Sequence, residues 1–207
     1  MTASEGSTSL ATALDEYVAL VRSSPHNLVS ARARRELSGR HIPECLAFAE
    51  ILPLEGRFLD LGSGGGFPGI VIALHGPKRI VHLLDATAKK TAFLRDAAAA
   101  LGIFVEVHTG RAEQLGSGEL RGTFDVVTAR AVAPLPTLVA WAAPFLGPRG
   151  ALYAIKGARW QEELREAGSE IERRGLVLRA SPAVDERFGP TSDRPHAPRV
   201  VMLQRAV

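Results

Sequence analysis

The chain has 207 residues, 46% of them hydrophobic and 23% charged, which is the composition of a globular domain and excludes a disordered or fibrous chain. Its single cysteine, Cys45, excludes an internal disulfide and a cysteine-built metal cluster, and no apolar run reaches the roughly 18 residues of a membrane span. Net charge is only +3 although 21 of the 25 cationic side chains are arginine, which excludes a polycation that coats nucleic acid but leaves arginines available for phosphate or stacked bases.

Residues 1–9 read as a disordered N-terminus; they lack lysine and arginine, so no secretory signal is expected and a reducing, cytoplasmic setting fits. Leu10, Leu14, Tyr17, Val18 and Val21 share one helical face, which predicts an amphipathic helix over 10–22 that Ser24-Pro25 stops. A second helix is predicted over 34–51, interrupted near Pro43, and Pro53 and Gly56 close this helical preface of residues 10–56. Strand and helix signals then alternate through 57–207. Strands are expected at 57–61, 79–84, 104–108, 124–129 and 151–155, and helices at 68–74, 87–101, 135–143 and 159–174. This alternation predicts an α/β fold with a mostly parallel sheet and helices on both faces. Strands at 176–180 and 199–204 have no long helix between them and are expected to pair antiparallel at one edge, making seven in all. The connection over 185–198 holds three prolines and reads as a long loop.

The densest signal is Asp60-Leu61-Gly62-Ser63-Gly64-Gly65-Gly66-Phe67-Pro68-Gly69, between the first strand and the first sheet helix. Glycines there allow a sharp turn and close backbone approach to a ligand, beside the free N–H groups of a helix N-terminus. Two frames fit. Gly64, Gly66 and Gly69 match the G-x-G-x-x-G of dinucleotide sites, with Asp85 at the end of the next strand. Asp60, Gly62, Gly64 and Gly66 match the first motif of S-adenosylmethionine (SAM) methyltransferases, and that frame is preferred because it starts at the strand end. In either frame the Asp85 carboxylate accepts ribose hydroxyls. Arg111-Ala112-Glu113 follows the third strand, where a methyltransferase meets adenine.

These residues closely resemble the RsmG (GidB) family of bacterial 16S rRNA guanine-N7 methyltransferases. The matching stretches are residues 60–69, Leu84-Asp85-Ala86-Thr87-Ala88-Lys89-Lys90-Thr91-Ala92-Phe93-Leu94, Arg111-Ala112-Glu113, Ala129-Arg130-Ala131 and Tyr153-Ala154-Ile155-Lys156-Gly157. Upstream, His26-Asn27-Leu28-Val29-Ser30 and Arg40-His41-Ile42 are similar to two further family elements. Pro43-Glu44-Cys45 departs from the family's usual leucine-aspartate-serine.

The resemblance implies a Rossmann-like SAM-dependent methyltransferase fold. It implies methyl transfer to N7 of guanine 527, in the 530-loop region of 16S rRNA, by a monomer acting on 30S-type RNA. Asp60, Gly62, Ser63, Gly64, Gly66, Phe67, Asp85, Ala86, Ala112, Glu113 and Arg130 would then face the cofactor. Arg130 and Lys156 would serve the reaction at strand ends, and Asn27, His41, Arg130, Lys156 and Arg199 would meet RNA. Arg32, Arg34, Arg35 and Arg40 are candidates for an RNA-facing strip.

Guanine N7 has a lone pair and no proton to lose, so in-line alignment suffices and no general base or metal is expected. Cys45 lies away from any strand end, against a cysteine nucleophile, and His26, His75, His82, His108 and His196 show no metal-ligand spacing. Thr128-Ala129-Arg130-Ala131 replaces the proline-rich motif of amino-group methyltransferases. A nicotinamide-dependent oxidoreductase and a non-catalytic SAM- or nucleotide-binding regulator remain as alternatives.

Overall fold

The apolar stripe near the start forms α1 (Leu10–Ser23), capped by the Ser9 hydroxyl, which accepts from the Thr12 N–H at 3.2 Å. Its buried side is Ala13, Leu14, Tyr17, Val18 and Val21, and Ser24 leaves the helix in an extended conformation, as a residue before proline must. The computed structural model describes residues 9–179 and 199–206, so the expectations for residues 1–8, Ala180 and the 185–198 loop lie outside the described residues.

The second preface helix, expected over 34–51 with an interruption near Pro43, starts at Ala31 and falls into three pieces. Ser30 caps α2 (Ala31–Arg35), a π-helical turn covers Leu37–His41, and α3 runs Ile42–Ile51. Pro43 has no N–H for the carbonyl one turn back, and the wider hydrogen bond from His41 N–H to the Glu36 carbonyl (3.2 Å) absorbs the misfit. Arg79 ends this preface from the far side of the fold. Buried, it donates to the carbonyls of Pro53 (2.8 Å), Ala49 (2.7 Å) and Leu52 (3.3 Å), satisfying the open end of α3.

The alternating segments give β1 (Gly56–Leu61), α4 (Gly69–His75), β2 (Arg79–Asp85), α5 (Ala88–Ala100), β3 (Glu106–Thr109), α6 (Ala112–Leu115), β4 (Phe124–Arg130), α7 (Leu135–Ala142), β5 (Leu146–Lys156), α8 (Trp160–Glu166), α9 (Gly168–Arg173), β6 (Leu176–Arg179) and β7 (Arg199–Arg205). The seven strands form one sheet in the order β3-β2-β1-β4-β5-β7-β6. β1 to β5 are parallel, and β7 runs antiparallel to both β5 and β6, as the missing crossover helix predicted. Three details differ from expectation. β5 begins five residues early because Leu146 pairs with Phe124 before a bulge. The helix after β5 breaks at Ala167-Gly168 into α8 and α9. The short α6 has no counterpart in the sequence reading.

Two apolar cores flank the sheet. On one face Tyr17, Leu37 and Phe48 of the preface pack with Phe58, Ile70 and Val81 of the sheet unit; on the other, Leu59, Leu61 and Val127 meet α7. The preface is therefore part of the same core. Among the described residues no helix is long and apolar enough to cross a membrane.

His82, Glu106 and His108 meet on the second face, where β2 pairs with β3, with ligand-capable atoms within 4.8 Å of one another. The Arg57 guanidinium lies 3.4 Å from His82 Nε2 and donates to it, which leaves the proton on Nδ1 for donation to His108 Nε2 at 2.9 Å. The group works as a hydrogen-bond chain, with a fixed cation where a metal-binding histidine would need an acceptor. Burial pushes His82 down to about 4, opposed by Glu106. Because that value lies below the unfolded one, the folded state loses stability as pH falls from about 6.5 towards 4. The difference in melting temperature between wild type and His82→Gln should therefore narrow between pH 7 and pH 4.5; a constant difference would refute the assignment.

Candidate functional site

Asp60, at the end of β1, faces into the fold rather than into a cavity. Its Oδ1 accepts the Thr128 hydroxyl at 2.8 Å and its Oδ2 accepts the Gly69 N–H at 3.1 Å. Burial pushes its carboxyl up to about 6, and these hydrogen bonds pull it back. Gly69 is required at that contact, since a Cβ would stand 2.3 Å from Leu83 Cδ2 and 2.7 Å from Asp60 Oδ2. The expected cofactor contact at Asp60 is thus corrected: the side chain holds the first turn of α4 to β1 and β4, and it lines neither cavity described below.

The glycine loop turns above this carboxylate. The N–H groups of Gly62 and Ser63 both donate to the Leu84 carbonyl, at 2.8 and 2.9 Å, and Gly64 N–H donates to Asp85 Oδ2 at 3.0 Å. Gly62 and Gly64 have φ of +72° and +57°, a region open to glycine. Tyr17 of α1 reaches over the loop: its hydroxyl donates to the Gly65 carbonyl and its ring lies 5.0 Å from that of Phe67. Burial keeps that hydroxyl protonated. Gly66 faces Tyr17, Ile70 and Leu94 instead of a cavity. Gly66 belongs to both glycine frames, so its packing does not separate them.

Two cavities meet at Gly62, at the carboxyl ends of the strands where the order switches between β1 and β4. The smaller, about 240 Å³, is lined by Asp85, Ala86, Ala112, Glu113, Val132 and Trp141 among others. A buried carboxylate beside apolar walls suits a nucleoside, with hydroxyls on Asp85 and a flat ring between Ala86, Ala112 and Trp141. The wider cleft, about 380 Å³, is floored by Gly62, Ser63, Gly64 and Phe67, roofed by Leu28, Val29 and Leu37 of the preface, and walled by His41, Lys90 and Arg130.

Arg130 is held from three sides. It donates to His41 Nδ1, to Glu44 Oε2 at 3.2 Å and to Cys45 Sγ at 3.3 Å. Burial and the guanidinium depress His41, so the imidazole is neutral and accepts. Burial pushes the Cys45 thiol up to about 12, against any thiolate chemistry. Next to Arg130, Ala131 holds φ of +54°, a strained conformation for a residue with a Cβ. Lys156 accounts for that turn: its Nζ donates to the Ala133 carbonyl at 2.8 Å and pairs with Glu163 at 2.6 Å, while Glu163 also accepts the Leu135 N–H. Lys156 is 8% exposed and absent from both cavities. The expected reacting and RNA contact at Lys156 is therefore corrected to a brace for the Arg130 turn.

The other expected residues separate. Asn27 is exposed in a shallow groove with Arg22 and Arg35, beside the wide cleft at Val29. Arg199, expected to meet RNA, lies over the Trp160 ring at 5.5 Å and lines neither cavity. The arginine strip is largely spent internally: Arg32 and Arg40 pair with Glu36 and Glu44, and Arg34 donates to the carbonyls of Arg22, Ser24 and His26. Tyr17, Glu44, Lys90, Trp141 and Glu163 had no role assigned from sequence. Tyr17, Glu44 and Lys90 lie in stretches the sequence singles out, whereas nothing there marks Trp141 or Glu163 as site residues.

Asp60→Ala leaves the Gly69 N–H and the Thr128 hydroxyl buried without a partner. It should cost roughly 2–4 kcal/mol in urea unfolding. Tyr17→Phe should cost about 1 kcal/mol and leave the far-ultraviolet spectrum unchanged.

A family model described as rRNA small subunit methyltransferase G matches residues 11–188. "Ribosomal RNA small subunit methyltransferase G" of Halorhodospira halophila is 49% identical over 142 residues, covering 68% of this chain and 66% of that protein. The protein of the same name from Salinispora tropica is 43% identical over 155 residues, covering 72% of this chain and 63% of its own length. The chain thus spans just under two thirds of the length of these relatives. Among solved structures, M. jannaschii TYW2 in complex with AdoMet superposes with a TM-score of 0.58 at 16% identity, covering 79% of this chain and 74% of that one. That likeness bears on the fold alone.

Proposed function

The chain belongs to the rRNA small subunit methyltransferase G (GidB) family, and on that premise we propose that it transfers a methyl group from SAM to N7 of a guanine in the 530-loop region of 16S rRNA. The observation that carries this reading is the meeting of two cavities at Gly62, one holding the Asp85 carboxylate and the other Arg130. A bound SAM supplies a methyl already activated on sulfonium.

The protein's task is then placement. Asp85 accepts the ribose hydroxyls while Gly64 and Thr87 N–H groups, at 3.0 and 2.8 Å, hold its carboxylate in place. Ala86, Ala112 and Glu113 border the adenine, and the backbone of Gly62, Ser63 and Gly64 lets the methionyl part lie close to the sheet. Phe67 closes the floor. Arg130, fixed by His41, Glu44 and Cys45, presents its remaining donor capacity to the O6 edge or phosphate of the incoming guanine. N7 loses no proton, so the step asks for alignment and not for a base. Leu28, Val29 and Leu37 exclude water from the transfer.

We read residues 10–56 as an extension on a methyltransferase unit of 57–207, acting as a monomer in the cytoplasm on 30S-type RNA. Asn27 reaches toward the RNA strand. His41 serves through Arg130 rather than by touching RNA.

Incubation with labelled SAM and 30S-derived rRNA should yield N7-methylguanine at one position. Transfer to another atom, or none on either naked or assembled RNA, would overturn the reading. Arg130→Ala should lower transfer by at least about a hundredfold while SAM binding stays within a few-fold. Asp85→Asn should weaken SAM binding about tenfold by calorimetry.

A further inference from the structure

The wide cleft is lined by two permanent cations, Lys90 and Arg130. They differ in how firmly each is held. Arg130 is one-sixth exposed, with a side-chain accessibility of 17%, and carries three side-chain partners. Lys90 stands on the first turns of α5 with 33% of its side chain exposed, and its nearest acid oxygen is Asp85 Oδ2 at 3.8 Å. That separation is beyond a direct hydrogen bond. Asp85 does not depend on Lys90, because the Gly64 and Thr87 N–H groups already hold its two oxygens. The ammonium is therefore free to serve a second anion without stranding the carboxylate beside it.

Its position decides which anion. Lys90 lines the wide cleft, while Asp85 lines the smaller one, and Gly62 joins the two. Resting on the reading given under Proposed function, a SAM molecule with its ribose on Asp85 would cross Gly62 and put its amino-acid end in the wide cleft. That end carries a carboxylate, whose burial needs a cation. Arg130 already pairs with Glu44 and donates to His41 and Cys45, so Lys90 is the cleft cation with fewer partners. We propose that Lys90 Nζ receives the methionyl carboxylate of SAM and so makes the site selective for ligands that carry it.

The test is calorimetric titration of the full chain and of Lys90→Met and Lys90→Arg with SAM, S-adenosylhomocysteine and decarboxylated SAM. The wild type should prefer SAM over its decarboxylated form by about tenfold or more. Lys90→Met should lose most of that preference while binding decarboxylated SAM as the wild type does, and Lys90→Arg should restore part of it. Equal weakening toward all three ligands would overturn the proposal and make Lys90 a support for Asp85 or the loop. Unchanged SAM affinity with weaker rRNA retention on filters would overturn it in favour of a phosphate contact. If the wild type binds none of the three ligands, the methyl-donor reading falls and this one with it.

Discussion

One buried carboxylate sets the geometry on which the rest depends. Asp60 ties three elements together: it belongs to β1, accepts from β4 through Thr128 and accepts from the start of α4 through Gly69. Its desolvation is expensive, and the two hydrogen bonds are what make it tolerable. In return, the distance between β1 and the following helix is fixed to within a hydrogen bond. The glycine loop above has little freedom left, because Leu84, Asp85 and Tyr17 then fix its backbone from three further directions. The small cavity and the wide cleft are the spaces this arrangement cannot fill.

The charges obey a similar economy. In this arginine-rich chain of net charge +3, several cations among the described residues face carboxylates or carbonyls. Glu44 is the clearest case. It stands where the family resemblance expects an aspartate, and its longer side chain still reaches Arg130 while also pairing with Arg40. Cys45, in place of serine, keeps a weak acceptor on the same guanidinium. The departures in the preface thus preserve the polarity of the contacts around Arg130. Lys156 and Glu163 form a second such device behind the strained Ala131.

Much of this was legible in the sequence because it rests on local rules. The period-two strands, the glycine loop and the antiparallel final pair follow from patterns within about ten residues. The small-cavity residues Asp85, Ala86, Ala112 and Glu113 also fell together, since each sits at or shortly after a strand end. What escaped depends on contacts distant in the chain. Nothing near Lys156 announces Glu163 or the Ala133 carbonyl as its partners, so a strand-end lysine read as a phosphate contact. Nothing in Asp60 separates a residue that touches a ligand from one that shapes the loop touching it. In the arginine strip Arg32 and Arg40 are exposed and share Glu36 between them, so one carboxylate offsets only part of their charge. The break between α8 and α9 had only Gly168 to mark it.

The roof of the wide cleft comes from residues that precede the sheet. Tyr17 meets Gly65 across 48 positions, and His41 meets Arg130 across 89. During synthesis the preface emerges first, and its apolar underside, including Tyr17, Leu37 and Phe48, has no sheet to cover it until β1, α4 and β2 follow. Arg130 arrives later still, with β4. The roof is therefore made before the floor and the wall, and the cleft comes into being only when the growing chain has passed its middle. A product that stops before β4 has no half-working cleft to offer.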